Sequence, residues 1–542
     1  MSTPTVAARI LDALAALGVD RVFGLPGVHN LPFWRELGPG RPSIIGVRHE
    51  QATVYAADGA ARASGGLGVA LTTTGPGAAN AAGAFGEAWS SCSPVLVIAS
   101  EIPTRLRKPG STRRVLHECR DQAAIFEPLA KAVYRPRTPQ EVGAAVRDAV
   151  TTALAFPRGP VYLDIPTDVL DLPGPQIVIP PGVTRPAPTA EQIAAAAAEI
   201  DAAERVIVWA GGGAIQSGAS AQVGALARRL CAPVLTTYAG RGVLPADDPY
   251  LVGLPPHEPE VAKLLESADL MVAVGSDFDG IATKNWSMPR PPRLVAVNCD
   301  PADASKDYQP DVLVVADAAT ALDELIPAVR ARTASWAPEL PALRSRIRAD
   351  IRADSRTTTA MELVEAVEAG WPRDGRIVND MAIGAYWVNA YADIYGPRRI
   401  QCPIGWGTLG YALPAAIGPA SDGQGPVLAI VGDGGMMFAL GELATIVQER
   451  LPITVLVVDD GGYGMLRYDQ IHDGDEERGV DLHGPDFAQL AASFGITAIR
   501  RDCVDAGLGA VLAECAEAKE PRLVWLRQKL IPPRTTSPRW ND

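Results

Sequence analysis

Two neighbouring apolar runs in the last third of the chain each end in an acid followed by glycine. VLAIV passes into Gly432-Asp433-Gly434-Gly435, and ITVLVV passes into Asp459-Asp460-Gly461-Gly462. The interval between them is that of one βαβ unit, so two adjacent parallel strands would deliver both acids to the same sheet edge. Glycines there let backbone N–H groups approach an anion, and Asp433 stands where a hard cation would be needed. Two carboxylate oxygens, a backbone carbonyl and the oxygens of a diphosphate together make an octahedral Mg2+ site. Either turn alone reads as an Asp-Gly strand end; the pair at this spacing reads as a metal–diphosphate site.

A third carboxylate raises a different question. The run SIIGV ends in Arg48-His49-Glu50 and gives way at once to QATVYAADGAARASG, a helix candidate built largely of small residues. A bland reading makes Glu50 a first-turn acid favoured by the helix dipole.

The elements that must position these groups follow from the hydrophobic pattern. Short apolar runs alternate with longer amphipathic ones, the mark of βαβ units and parallel sheets. RVFGL, SIIGV, VALTTT, PVLVIAS and PVYLDIP are the strand candidates of the first third; VIVWAGGG, PVLTTY, LMVAVGS and LVAVNCD belong to the middle; RIVNDMAIG, VLAIVGDGG, ITVLVVDD and LVWLRQ belong to the last. A Pro-rich stretch from Asp171 to Pro188 reads as one linker, with Thr189 opening a helix. The charged stretch from Thr333 to Arg356 reads as the second. The expected fold class is therefore α/β, with three doubly wound, mostly parallel domains over residues 1–172, 189–332 and 357–542.

Composition narrows the function classes. A net charge of −13 without a basic stripe argues against binding a nucleic-acid backbone. Seven scattered cysteines without a CxxC pair fit the reduced thiols of a cytoplasmic protein better than a disulfide framework or a zinc site. The N-terminal stretch reads as a structural helix, not a secretion signal, and no apolar run of about 18 residues suggests a membrane span.

"FGLPG", "RHEQATVYAADGAARASG", "TTTGPGAANAAGAFGEA", "GTLGYALPAAIGPA", GDG and "DDGGYGMLR" occur in an order that resembles thiamine-diphosphate enzymes of the acetolactate synthase-like, 2-oxo acid decarboxylase group. The resemblance implies two cofactor-binding domains flanking a central Rossmann-like one, with thiamine diphosphate and Mg2+ as cofactors. Asp433, Asp460 and the Gly462 carbonyl would hold the metal. Gly432, Gly434, Gly435, Tyr463, Gly464 and Met465 would line the diphosphate end. Leu409 would bend the cofactor, with Gly407 and Thr408 beside its aminopyrimidine. Glu50 would bond the pyrimidine ring nitrogen and so help deprotonate the thiazolium carbon, a role that calls for a screened carboxylate. Pro26, Thr73 and Asn80 would complete the pocket. The substrate would be a small 2-oxo acid, whose CO2 is lost to leave an enamine that is either protonated to an aldehyde or passed to an aldehyde or ketone acceptor. A homodimer or homotetramer with shared active sites is implied.

The chain departs from acetolactate synthase in three places. His29 stands in "FGLPGVHN" where that pattern has a small residue. Leu116-His117 replaces a Phe-Gln pair. Gly275-Ser276-Asp277-Phe278-Asp279 lacks the arginine of FAD-binding members, which argues against FAD. Two histidines suit proton delivery near neutral pH, so His29 and His117 join Glu50 as candidate catalytic residues. Acetolactate synthase is the alternative; a flavin- or nucleotide-binding oxidoreductase or an inactive homologue is the rival from another class.

Overall fold

A computed structural model describes residues 3–540. The first sheet contains β1 (Arg21–Gly24), β2 (Ser43–Gly46), β3 (Gly68–Thr72), β4 (Val95–Glu101), β5 (Ala132–Tyr134) and β6 (Val161–Pro166), in the order β2-β1-β3-β4-β6-β5. The second contains β7 (Val206–Ala210), β8 (Val234–Thr236), β9 (Leu270–Val274), β10 (Arg293–Asn298) and β11 (Val312–Val315), ordered β11-β10-β9-β7-β8. The third contains β12 (Arg376–Asn379), β13 (Ile400–Gln401), β14 (Val427–Gly432), β15 (Ile453–Asp459), β16 (Thr497–Arg501) and β17 (Arg522–Arg527), ordered β13-β12-β14-β15-β17-β16. Neighbouring strands run parallel, as in the registers Leu71↔Ile98, Ala273↔Ala296 and Ile377↔Leu428. Central strands such as Val95–Glu101 and Val206–Ala210 are buried along their whole length, which is why they read as unbroken apolar runs.

Compactness divides the chain into two units. One joins residues 1–184 to 405–424 and 438–453; the other holds 185–404, 425–437 and 454–542. Within the first, the helix Ala412–Ala420 packs against the helix Glu50–Ser64 of the N-terminal sheet, and Glu442–Gln448 packs in turn against Ala412–Ala420. Among the described residues no helix is long and apolar enough to cross a membrane.

The small-residue helix Glu50–Ser64 owes its composition to this packing. A methyl group on Gly59 would run into the Ala415 carbonyl oxygen, and one on Gly418 into the Ala56 carbonyl. The two backbones therefore touch directly. In isolation Gly59→Ala would gain about 1 kcal/mol of helix propensity, but overpacking a tight site costs about 1–3 kcal/mol or more. Gly59→Ala is expected to lower the melting temperature, a sign that thermal denaturation would check directly.

The stretch Thr333–Arg356, read from the sequence as a charged linker, contains the helix Leu340–Ala353, which buries Leu340, Leu343 and Ile347. Its apolar stripe is narrow and set among arginines, so the charged residues masked the period. After the first linker, Thr189 caps the helix Ala190–Ala202, with Gln192 completing a reciprocal capping box.

Candidate active site

β14 and β15 lie side by side, so Asp433 follows directly on one strand end while Asp459 closes the other and Asp460 follows it. Asp433 is only 3% exposed, and one oxygen of each of Asp433 and Asp460 is buried without a hydrogen-bond partner. Burial pushes the Asp433 carboxyl up to about 7, with the charges of Asp460 and Asp459 adding to the rise. Burial likewise pushes Asp460 up to about 6, less far because the Arg467 guanidinium stands nearby. A buried Asp433 and a partly buried Asp460, each with one oxygen that no hydrogen-bond donor reaches and each with a raised pKa, make a setting suited to a cation, with the Arg467 guanidinium 3.8 Å from Asp460 Oδ1 as the one positive side chain paired with them among the described residues.

The rest of the turn is shaped around Asp460. Arg467 donates to the Asp460 carbonyl at 3.3 Å, to the Gly461 carbonyl at 3.1 Å and to Asp481 at 2.8 Å. Gly462 has φ +150°, and a side chain there would strike the Val480 carbonyl oxygen. A methyl group on Gly464 would collide with the Asp460 carboxylate, and one on Gly434 would come within 2.8 Å of the Tyr463 ring. Tyr463 is tied through its N–H to the Val480 carbonyl at 2.8 Å, while Met465 packs half-buried on the domain core. Gly432 faces Ala382, and Gly435 faces Asp380.

The Asp459 carboxylate accepts from the Gly461 N–H at 3.0 Å and from Trp525 Nε1 at 2.8 Å, while its charge contributes to the raised pKa values of Asp433 and Asp460. Both oxygens are used to fasten the turn to β17, and Asp460 alone is left for a metal. Among the described residues no three His, Cys, Asp or Glu side chains converge as a metal site. An ion held by Asp433 and Asp460 would therefore draw its remaining ligands from backbone oxygen and a bound anion, a donor set suited to Mg2+.

Asn379 was not singled out from the sequence. It ends β12, next to β14, fully buried, with neither amide atom partnered. Its type within RIVND gave no signal; only its place at this sheet edge marks it.

The first unit gathers the other candidates. Glu50 is the first residue of its helix and is half-buried, less enclosed than the screened setting expected. Asn80 Nδ2 donates to Glu50 Oε2 at 3.0 Å. A methyl group on Gly77 would sit 3.2 Å from Glu50 Oε1 and 2.6 Å from Thr73 Cγ2, so Glu50, Asn80 and Thr73 flank one small-residue surface. Pro26 is exposed in the turn after β1, and Gly27, the next residue, leaves room for the Thr73 hydroxyl.

His29 and His117 meet edge to face with ring centroids 5.3 Å apart. His29 is 8% exposed, and the Nδ1 atoms of both rings are buried without partners. Burial, aided by the neighbouring His117, lowers the His29 pKa below 6.5, so its resting form at pH 7 is the neutral imidazole. His117 has φ +68°, a conformation that a non-glycine residue holds only when its surroundings impose it. Gln122, overlooked in the sequence, is part of what imposes it. Its carboxamide accepts from the Gly75 N–H at 2.6 Å and donates to the Ser100 carbonyl at 3.0 Å and Tyr162 OH at 2.8 Å. Gly75 in turn leaves no space for a side chain, since one would come within 2.5 Å of the His117 carbonyl.

Thr408 bonds Tyr55 OH at 2.5 Å. Gly407 turns at φ +72°, exposed, and Leu409 is half-buried beside it.

Three family models match the chain: the N-terminal TPP binding domain of thiamine pyrophosphate enzymes over residues 4–125, their central domain over 193–325, and their C-terminal TPP binding domain over 382–525. The chain belongs to the thiamine pyrophosphate enzyme family. Thiamine pyrophosphate is thiamine diphosphate by another name, so the cofactor implied by the sequence is the cofactor of the family. Similar proteins include the "Probable 2-ketoarginine decarboxylase AruI" of Pseudomonas aeruginosa, 34% identical, with 91% of this chain and 89% of that protein aligned. The "Probable acetolactate synthase large subunit" of Methanocaldococcus jannaschii is 31% identical over 91% of this chain and 86% of its own. The thiamine diphosphate-dependent 4-hydroxybenzoylformate decarboxylase of Rhodococcus jostii shares the fold, with a TM-score of 0.84 at 24% identity over 98% of this chain and 100% of that one.

As a thiamine pyrophosphate enzyme the chain has a central domain whose glycine turns pack on themselves. A side chain on Gly211 would strike the Gly275 carbonyl, and Gly275 itself has φ +60°. Asp277 pairs with Lys306 at 3.2 Å, and Trp209 Nε1 bonds Ser276 Oγ at 3.0 Å. These residues hold one another.

Proposed function

We propose that this thiamine-pyrophosphate enzyme decarboxylates a 2-oxo acid, with Asp433, Asp460 and the Gly462 carbonyl holding Mg2+ against the cofactor's diphosphate. When bound, thiamine diphosphate supplies the ring that accepts the electrons left as CO2 departs. The residues singled out from the sequence keep their assigned roles, and 1–172, 189–332 and 357–542 stand as the proposed domain limits. Two copies would share each site, Glu50 of one working on the cofactor held by Asp433 and Asp460 of the other. The seven unbridged thiols favour a cytoplasmic setting.

The observation that carries the decarboxylase reading is the His29–His117 pair. Two imidazoles meeting at one point, His29 among them held toward its neutral form, put groups of the kind that exchange protons near neutral pH together, which serves aldehyde release more directly than transfer to a second 2-oxo acid. The similarity to acetolactate synthases supports the second reading, condensation of two pyruvates.

Pyruvate, 2-ketoarginine and 4-hydroxybenzoylformate, the last two taken from the relatives' names, form the first panel, with product analysis after CO2 release. The proposal expects an aldehyde with at least one of them. His29→Ala and His117→Ala are each expected to slow aldehyde release by about 10²-fold, the lower end of general acid–base effects. Acetolactate from pyruvate, undiminished in either variant, would transfer the assignment to the synthase.

A further inference from the structure

The backbone just before Glu50 is held by a residue nearly four hundred positions away. Glu442 opens the helix Glu442–Gln448 and is 2% exposed. Its Oε1 accepts from the Arg48 N–H at 3.0 Å and the His49 N–H at 3.2 Å. Its Oε2 accepts from the Thr445 hydroxyl at 2.6 Å and lies 3.3 Å from the Arg48 N–H. Gly441 brings the two segments together, since a methyl group there would sit 3.3 Å from Arg48 Cβ. The Arg48 guanidinium adds a second tie, to Gln448 Oε1 at 2.7 Å.

These N–H groups lie where β2 has ended and the helix has not begun, so neither sheet nor helix supplies them with an acceptor. Other helix starts in this chain meet the need locally, as Thr138 with Glu141 and Thr189 with Gln192 do. Here His49, the capping residue, uses its ring to accept from the Gln51 N–H at 3.2 Å, and the two amides ahead of Glu50 are left to a remote carboxylate. A buried acid bonded to two consecutive amides and one hydroxyl fixes the chain direction at the point where Glu50 departs from it.

We propose that Glu442 is a positioning residue for Glu50: by gripping the Arg48 and His49 amides it sets the first turn of the helix so that the Glu50 carboxylate is presented beside Asn80. The assignment rests on the reading of Glu50 as the cofactor-activating carboxylate. The carboxylate is needed for its shape and acceptor oxygens, because a glutamine can keep Oε1 on the two amides and turn its Nε2–H toward the Thr445 hydroxyl.

The test compares Glu442→Ala, Glu442→Gln, Thr445→Val and Glu50→Gln in the full-length protein. Two quantities are read: amide hydrogen exchange in the peptide carrying Arg48 and His49, without cofactor, and deuterium exchange at the thiazolium carbon with thiamine diphosphate and Mg2+ added. Glu442→Ala is expected to raise amide exchange at Arg48–His49 more than tenfold and to slow thiazolium exchange by ten- to a hundredfold. Glu442→Gln is expected to restore most of both, and Thr445→Val to fall between, which keeps the test open if the alanine variant does not fold. Unchanged amide protection in Glu442→Ala, or a glutamine variant as impaired as the alanine one, overturns the proposal. A Glu50→Gln protein with normal thiazolium exchange instead overturns the reading of Glu50, whatever Glu442 does.

Discussion

Glu50→Gln is expected to bind thiamine diphosphate with nearly unchanged affinity while slowing deuterium exchange at the thiazolium carbon by about 10²–10⁴-fold, the range of a positioned general acid–base group. The substitution preserves size, and Asn80, which donates to Glu50 Oε2, can donate equally to the amide oxygen of glutamine. What it removes is the ability to exchange a proton with a nitrogen base. Binding measured by calorimetry and exchange measured by NMR on the same samples separate the two effects. Loss of binding together with exchange would make Glu50 a contact of the cofactor and not its activator.

Asp433→Asn is expected to act in opposite directions on the empty and the loaded protein. Asp433 is raised to about 7 and Asp460 to about 6, against an ordinary 3.8. Below the ordinary value both folded and unfolded chains are protonated, and the burial penalty is absent. As pH rises from about 4 toward 7 the unfolded chain releases protons that the folded chain retains, so metal-free protein loses stability across that window. Asparagine removes one of the two charges, so the metal-free variant is expected to be more thermostable than the wild type at pH 8 and equal to it near pH 4. The same change deletes a metal ligand. Outer-shell partners of metal sites alone are worth about 10–100-fold in affinity, and the loss of thiamine diphosphate affinity in the presence of Mg2+ is expected to exceed 100-fold. Because the ion requires both carboxylates ionised, wild-type Mg2+ affinity is also expected to fall as pH drops below about 7. Thermal melts at several pH values, with and without Mg2+ and thiamine diphosphate, check all three statements.

Central strands were legible in the sequence because burial on both faces leaves no choice but unbroken apolar runs, as in VLVIAS and VIVWA. The strands that escaped it, β5, β11, β13 and β16, each lie at a sheet edge, where the pattern is diluted by partial exposure. Asp433 and Asp460 were legible for the same reason as the strands that carry them: position at a strand end follows from the run preceding it. Glu442 and Gln122 were not, because their partners are backbone N–H and C=O groups far away in sequence, and such groups carry no residue type to match. Asp459 shows the limit of reading by type. Of two adjacent aspartates, only the fold decides that one bonds Trp525 and the other keeps an oxygen without a hydrogen-bond donor.

The central claim is tested most directly by stripping the purified protein of cofactor and metal and following CO2 release from the 2-oxo acid panel as thiamine diphosphate and Mg2+ are restored. The account predicts no release with either alone, and release with both that disappears in Asp433→Asn. Release without added thiamine diphosphate, or none from any 2-oxo acid when protein and both cofactors are present and bound, would contradict it.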